Sequence, residues 1–131
     1  GQRLHAVVLH ALDHIGRGQR LVDFAVQPEV LSLLSSGNFG RYADEKGEMK
    51  VCFISNNDIT GGNSGSAMFN SKGELLGLAF DGNWEAMSSD ILYEPKMQRC
   101  IGVDVRYILF MIERYGKAGN LIRELKIASG R

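Results

Sequence analysis

The sequence predicts a mainly β domain with flanking α-helices, ordered as helix, strands, helix. Three observations lead there. Apolar residues near both ends recur at helical spacing. The middle holds short β-branched and aromatic runs separated by Gly, Asn and Asp. The length of 131 residues, 44% of them hydrophobic, suits one domain around one core.

The elements follow in order. Leu4, Val7, Val8, Leu12 and Ile15 share a helix face, so residues 3–15 are predicted helical, with Gly16 and Gly18 as the stop. Residues 21–26 (LVDFAV) suit extended chain. Pro28 opens a short helix through Leu31, Leu33 and Leu34, because a first-turn residue needs no N–H. Ser35-Ser36-Gly37-Asn38 ends it. Residues 40–48 are polar and turn-rich, and MKVCFIS at 49–55 reads as a strand. Residues 56–65 (NNDITGGNSG) are too rich in Gly, Asn and Asp for regular structure. Residues 66–69 and 74–80 (SAMF, ELLGLAF) form two strands joined by a hairpin turn at Asn70-Ser71-Lys72-Gly73. Residues 82–98 are irregular and 99–104 give a further strand. Asp104 is placed to cap a helix over 104–115. Val105, Ile108, Leu109 and Ile112 line one face, widened by Tyr107, Phe110 and Met111, as expected of a helix packed on something large. Gly116 to Asn120 breaks it, and Leu121 to Leu125 form a last short helix.

Composition narrows the function classes. Fifteen Lys+Arg balance fifteen Asp+Glu, which argues against nucleic acid as the main partner, since phosphate contacts need excess cation. No apolar run approaches the ~20 residues that span a bilayer, and no membrane role is expected. No basic-then-apolar leader is found. Two Cys make no disulfide scaffold. Cys52 and Cys100 both read as strand residues, expected as buried small hydrophobes; one disulfide between neighbouring strands is the alternative. Neither has the CxxC or nearby His of a metal site.

The chemistry lies in Thr60-Gly61-Gly62-Asn63-Ser64-Gly65-Ser66. A serine hydroxyl is a weak nucleophile unless held at a sharp turn beside a base and an anion-stabilising pocket. Glycines around it permit the turn and present backbone N–H groups. With Ser64 as nucleophile, the N–H groups of Gly62 and Ser64 are the natural pair for a developing oxyanion. The plain alternative is an ordinary Gly/Asn/Ser turn. A strand before the loop and a hairpin after it favour the catalytic reading. The second informative stretch is Gly77-Leu78-Ala79-Phe80-Asp81-Gly82-Asn83-Trp84-Glu85. Asp81 could pair with a free α-amino group or a basic side chain of a substrate, or Asp81-Gly82 is only a turn. Trp84 is equally compatible with a core or rim aromatic.

The strand, serine loop and hairpin, with a motif like G-[DN]-S-G-[GS], resemble the nucleophile region of chymotrypsin-fold serine peptidases. TGGNSGS, its spacing to GLAFDGNWEAMSSD, and QRCIGVDVRYILFMIERYG together resemble the C-terminal part of the bacterial periplasmic dipeptidyl-peptidases of the type 7 and type 11 group. The resemblance runs from about residue 37 to about 127, with a weaker match from near Phe24. It implies one antiparallel β-barrel, the C-terminal half of a chymotrypsin-like double barrel, over 37–131, preceded by a helical segment over 1–36. It implies Ser64 as the acylated nucleophile, Gly62 with Ser64 as the oxyanion hole, and Asp81 on the peptide's α-amino group. Gly82 would lie at the mouth of the pocket for the second substrate residue. Acid-selective members carry Arg there; with Gly the pocket should be open and accept apolar side chains, and no basic residue follows Asp81 to neutralise a buried carboxylate.

Two departures stand beside the resemblance. A serine peptidase of this fold needs a His and an Asp, which the family carries in its first barrel. This chain has only His5, His10 and His14, all on the predicted first helix. His10 and His14 share a helix face as metal-binding pairs do, but no third ligand is evident and all three read as ordinary helix residues. The chain alone is therefore expected to be nearly inert. Residues 1 to about 20 do not match the family pattern, and Ala67 stands where relatives usually show Pro. The expected partners are a peptide substrate and the missing N-terminal barrel, with self-association of the isolated part through its uncovered surface. No cofactor or metal is implied, and the resemblance points to the periplasm or another exported location. The rival readings are a trypsin-like endopeptidase and a non-catalytic barrel used for binding or assembly.

Overall fold

The computed structural model describes residues 26–83, 86 and 96–128. The predicted helix at 3–15, its three histidines, Trp84 and nearly all of the stretch at 21–26 lie outside the described residues.

Helix α1 spans Pro28–Ser35, with Pro at its start, as the sequence predicts. A 3₁₀ turn follows at Gly40–Tyr42. Strand β1 is Cys52–Ser55, β2 Ala67–Phe69, β3 Leu75–Gly82 and β4 Cys100–Asp104. The hairpin turn between β2 and β3 falls where predicted. Asn70 holds it: its Oδ1 accepts from the N–H groups of Lys72 and Glu74, and Gly73 takes φ +75°.

The strands form one sheet in the order β1-β4-β3-β2, all antiparallel. The register puts Cys52, Val103, Leu78 and Ala67 in one row across the four strands. Phe53, Gly102 and Ala79 form the next row, and side chains of adjacent rows point to opposite faces. One face is packed. Ile59, Ala79 and Cys100 form a buried cluster joined by Met68. Gly102 is tight there because a Cβ would stand 2.6 Å from the Phe53 ring and 2.8 Å from Met68 Sδ. On the opposite face the β1 edge is open: Ile54 is 69% exposed and Cys52 is exposed beside it. The expected antiparallel β architecture with flanking helices is thus present as a four-stranded sheet with short helices. Closure is not formed by the described strands, since β1 and β2 each have one neighbour.

The cysteine expectation is half corrected. Cys100 is buried and Cys52 exposed, both as free thiols. Cys52 sits in the row that faces outward. A bridge is ruled out by register: Cys52 opposes Val103 and Cys100 opposes Ser55. Three positions of offset along a strand are roughly 10 Å, beyond the ~7 Å Cα separation a disulfide tolerates.

Asp104 caps the next helix as predicted, its Oδ1 accepting from Arg106 N–H at 2.9 Å. The guanidinium of Arg106 closes on the same carboxylate at 2.6 Å. The predicted helix over 104–115 divides in two. Val105–Phe110 is the α-helix α2, and Met111–Tyr115 widens into a π turn, closed by Gly116 N–H on Met111 O at 2.8 Å. Within the π turn, Glu113 accepts from Tyr42 Oη at 2.8 Å and from Arg41 Nη2 at 2.9 Å. The two segments are thereby tied together across more than seventy positions. Burial raises the Tyr42 phenol above its ordinary value, so it stays a donor to Glu113. Phe110, 1% exposed, is the apolar anchor beneath this clasp, with its ring edge-on to Phe39 at 5.7 Å and to Tyr42 at 6.1 Å. Helix α3, Gly119–Glu124, buries Ile122. No helix among the described residues is long and apolar enough to cross a membrane.

Candidate active site

The loop between β1 and β2 is built around Asn63. Its Oδ1 accepts from Thr60 N–H at 2.9 Å, and its own N–H donates back to Thr60 O at 3.2 Å. Its carbonyl accepts from Ser66 N–H at 2.9 Å. Three bonds on one residue fix the turn that carries Ser64. Gly62 and Gly65 on either side have φ of +92° and +88°, a region that side-chain-bearing residues enter only at a cost. The loop is then stitched to β3: Gly65 N–H donates to Ala79 O at 2.7 Å, and Ala79 N–H to Ser66 O at 2.8 Å.

These constraints leave Ser64 exposed, with its hydroxyl donating to Phe80 O at 3.2 Å. Phe80 immediately precedes Asp81, so the structure brings the two predicted residues, Ser64 and Asp81, to the same end of β3. Phe80 falls where the β3–β4 register shifts between Ala79 and Asp81. Such a bulge re-aims backbone groups, here a carbonyl onto the serine. The N–H groups of Gly62 and Ser64 donate to no other described residue.

Asp81 is exposed, and its Oδ1 accepts from the N–H of Gly82 at 2.8 Å. One carboxylate oxygen is thus anchored at the strand end, and the group as a whole faces solvent. Gly82 pairs with Cys100. The sequence reading of an open pocket at Gly82 differs from the structure here, because the space a side chain would fill at position 82 is already taken. A Cβ there would lie 2.7 Å from the Ala86 methyl and 3.4 Å from Ile59 Cγ2. The missing side chain at 82 is therefore matched by an apolar wall from two other segments. Burial pushes the thiol of Cys100, which pairs with Gly82, up from its ordinary value.

Two participants were not singled out in the sequence. The Phe80 carbonyl gives no residue-type signal, because any residue supplies one. Asn83 stood inside a quoted stretch, but its role depends on partners at 97 and 99. No histidine occurs among the described residues, since all three precede residue 26. Those residues also hold no group of three or more His, Cys, Asp and Glu arranged for a metal ion.

The sequence model of the Peptidase S46 family matches residues 12–127. The match begins earlier than the motifs alone suggest. A Dipeptidyl-peptidase 7 of Porphyromonas endodontalis is 60% identical over 108 residues, which are 82% of this chain and 13% of that protein. An Asp/Glu-specific dipeptidyl-peptidase of Capnocytophaga gingivalis is 47% identical over 105 residues, 80% of this chain and 15% of that one. A crystal structure of Porphyromonas endodontalis DPP11 in complex with the dipeptide Arg-Glu superposes with a TM-score of 0.76 at 43% identity, covering 80% of this chain and 15% of the other. The chain thus spans a small part of the length of these relatives. Matched along nearly its whole sequence and in three dimensions, it belongs to the Peptidase S46 family.

Proposed function

We propose that this chain is the C-terminal part of a serine dipeptidyl-aminopeptidase that releases N-terminal dipeptides through an acyl-enzyme on Ser64. The observation that carries the reading is the exposed Ser64 hydroxyl, held on a turn of two positive-φ glycines and bonded to the carbonyl before Asp81. In the complete enzyme a His from the absent barrel takes the Ser64 proton, and an Asp orients that His. Ser64 Oγ attacks the carbonyl carbon of the second residue. The oxyanion is received by the N–H groups of Gly62 and Ser64. The protonated His gives its proton to the leaving amine, and water then releases the dipeptide. Asp81 holds the free α-amino group, which fixes the cut two residues from the N-terminus. Gly82 marks the subsite for the second residue, with an apolar preference. This agrees with the apolar neighbours of Gly82 and with the family's division into members named for Asp/Glu specificity and members that are not.

The four-stranded sheet is part of one barrel, and its open face around Ile54 is covered by the rest of the enzyme. The isolated part self-associates through that face, and the enzyme acts in the periplasm or another exported location. The test uses the full-length peptidase carrying this sequence. A fluorophosphonate probe should label it and not its Ser64→Ala variant. Peptides with a free N-terminus should be cleaved and N-acetylated ones spared. Asp81→Asn should lower kcat/KM about 10–100-fold, the worth of one charge-assisted hydrogen bond. Absence of labelling would favour a non-catalytic barrel. Equal cleavage of acetylated peptides would favour a trypsin-like endopeptidase.

A further inference from the structure

Residue 83 follows directly on the Asp81-Gly82 pair, and its bonding is unusual for a strand end. Asn83 N–H donates to Arg99 O at 2.9 Å, continuing the ladder beyond Gly82–Cys100. Its carboxamide then acts as a further piece of backbone: Oδ1 accepts from Arg99 N–H at 2.8 Å and Nδ2 donates to Met97 O at 2.8 Å. Its carbonyl accepts from Ala86 N–H at 2.9 Å. The last bond bends the chain back so that the Ala86 methyl stands where a side chain at 82 would be. Ala86 and Ile59 are 8% and 9% exposed. They close the packed face of the sheet next to the serine loop, and Ile59 belongs to the segment that leads into that loop.

We propose that Asn83 is a positioning residue for the subsite at Gly82, and that Ala86, which it seats, forms with Ile59 the apolar wall that selects the second substrate residue. The inference rests on the dipeptidyl-aminopeptidase reading and deepens it. The wall has two consequences. A carboxylate brought against two hydrocarbon side chains would lose its water without gaining a partner, so acidic substrates are refused. The size of the accepted apolar side chain is set by residue 86, so removing a charge at 82 does not alone define the preference.

The test uses the full-length peptidase and a series of free-amine dipeptidyl substrates with Ala, Val, Leu, Met, Phe or Glu in second position. Ala86→Val should lower kcat/KM for Leu, Met and Phe at least ~10-fold relative to Ala, the scale of one or two methylenes in an apolar pocket. Asn83→Ala should raise KM for the large apolar substrates more than it lowers kcat and flatten the preference. Labelling of Ser64 by a small fluorophosphonate, which does not fill the subsite, should fall less than kcat/KM for the large apolar substrates in both variants. Parallel losses across the whole series, or an unchanged preference in Ala86→Val, would overturn the proposal. If Asn83→Ala does not accumulate as folded protein, the Ala86→Val preference decides alone. Failure of the unmodified enzyme to label or to discriminate free from acetylated substrates would instead sink the peptidase reading on which the proposal stands.

Discussion

Replacing Asn63 by Ala tests whether the serine loop is preorganised by its own hydrogen bonds. The substitution deletes the Oδ1 that accepts from Thr60 N–H at 2.9 Å. The two backbone bonds, to Thr60 O and from Ser66 N–H, remain. One neutral hydrogen bond is worth about 0.5–1.5 kcal/mol net, so the fraction of loops in the formed turn should fall roughly 2–10-fold where the turn is marginal. Because the proposed oxyanion donors Gly62 and Ser64 belong to that turn, the loss should be seen in kcat and not in KM. The fluorophosphonate labelling rate of the full-length peptidase should fall by the same factor. Asn63→Asp keeps an acceptor at the same atom and should recover most of the rate. Two results would refute the reasoning. An unchanged labelling rate would mean the loop is held by something other than Asn63. A loss beyond ~100-fold with unaltered thermal stability would mean that Asn63 takes part in the chemistry itself, since one such bond is too weak to account for it.

Three further outcomes follow from the packing and the charges. Gly77→Ala should destabilise the domain by at least about 3 kcal/mol, because its Cβ would stand 2.0 Å from Val103 O; an unaltered thermal midpoint would show the β3–β4 register to be wrong. Phe110→Ala should cost about 3–5 kcal/mol, since the ring is almost fully buried between Phe39 and Tyr42, and should make the Arg41–Glu113 clasp susceptible to proteolysis. The third concerns acid. The Asp44 carboxyl is held at about 2, below its ordinary 3.8, first by the backbone N–H of Glu48 and then by Lys50. A depressed carboxylate contributes stability above its unfolded value, and that contribution fades as pH falls from about 3.8 through about 2. Amide exchange at Lys46 and Glu48 should therefore quicken across that window and be insensitive to pH effects from this group above it. Asp44→Asn should remove the transition.

The sequence disclosed what local chemistry controls. The Pro28 helix start, the Asn70–Gly73 turn, the Asp104 cap and the irregular loop before Ser64 each rest on bonds between residues a few positions apart. It missed what distant partners decide. A helical period over 104–115 cannot reveal the π turn at Met111, whose Glu113 is gripped by Arg41 and Tyr42. Cys52 looks like a core residue in MKVCFIS, yet alternation places it on the open face with Val103 and Leu78 as row neighbours. At the site, Ser64, Gly62 and Asp81 stood out in the sequence because a nucleophile loop needs particular residue types, and their catalytic roles are proposals. The Phe80 carbonyl did not stand out, because a bulge is a property of two strands together. The Ala86 wall did not, because it forms only when Asn83 bends the chain back onto Gly82.

Strand β3 explains why these parts belong together. Its middle, through Ala79, stitches the serine loop to the sheet. Its bulge at Phe80 sets a carbonyl on the Ser64 hydroxyl, Asp81 follows exposed, and its end at Gly82 meets Ala86 and Ile59. In the proposed mechanism, nucleophile placement, amine recognition and side-chain selection therefore share one strand of eight residues, and a shift of β3 against β4 would disturb all three at once. The proton acceptor is different in kind. No imidazole lies among the described residues, and Ile54 on the sheet's other face is exposed. If the absent barrel supplies both the base and a cover for that face, then assembly of the two parts sets stability and proton transfer together. Substituting Ile54 by Glu should then depress Ser64 labelling in the full-length peptidase while leaving the serine loop's own hydrogen bonds intact. Labelling that survives Ile54→Glu would separate the covering of this face from the delivery of the base.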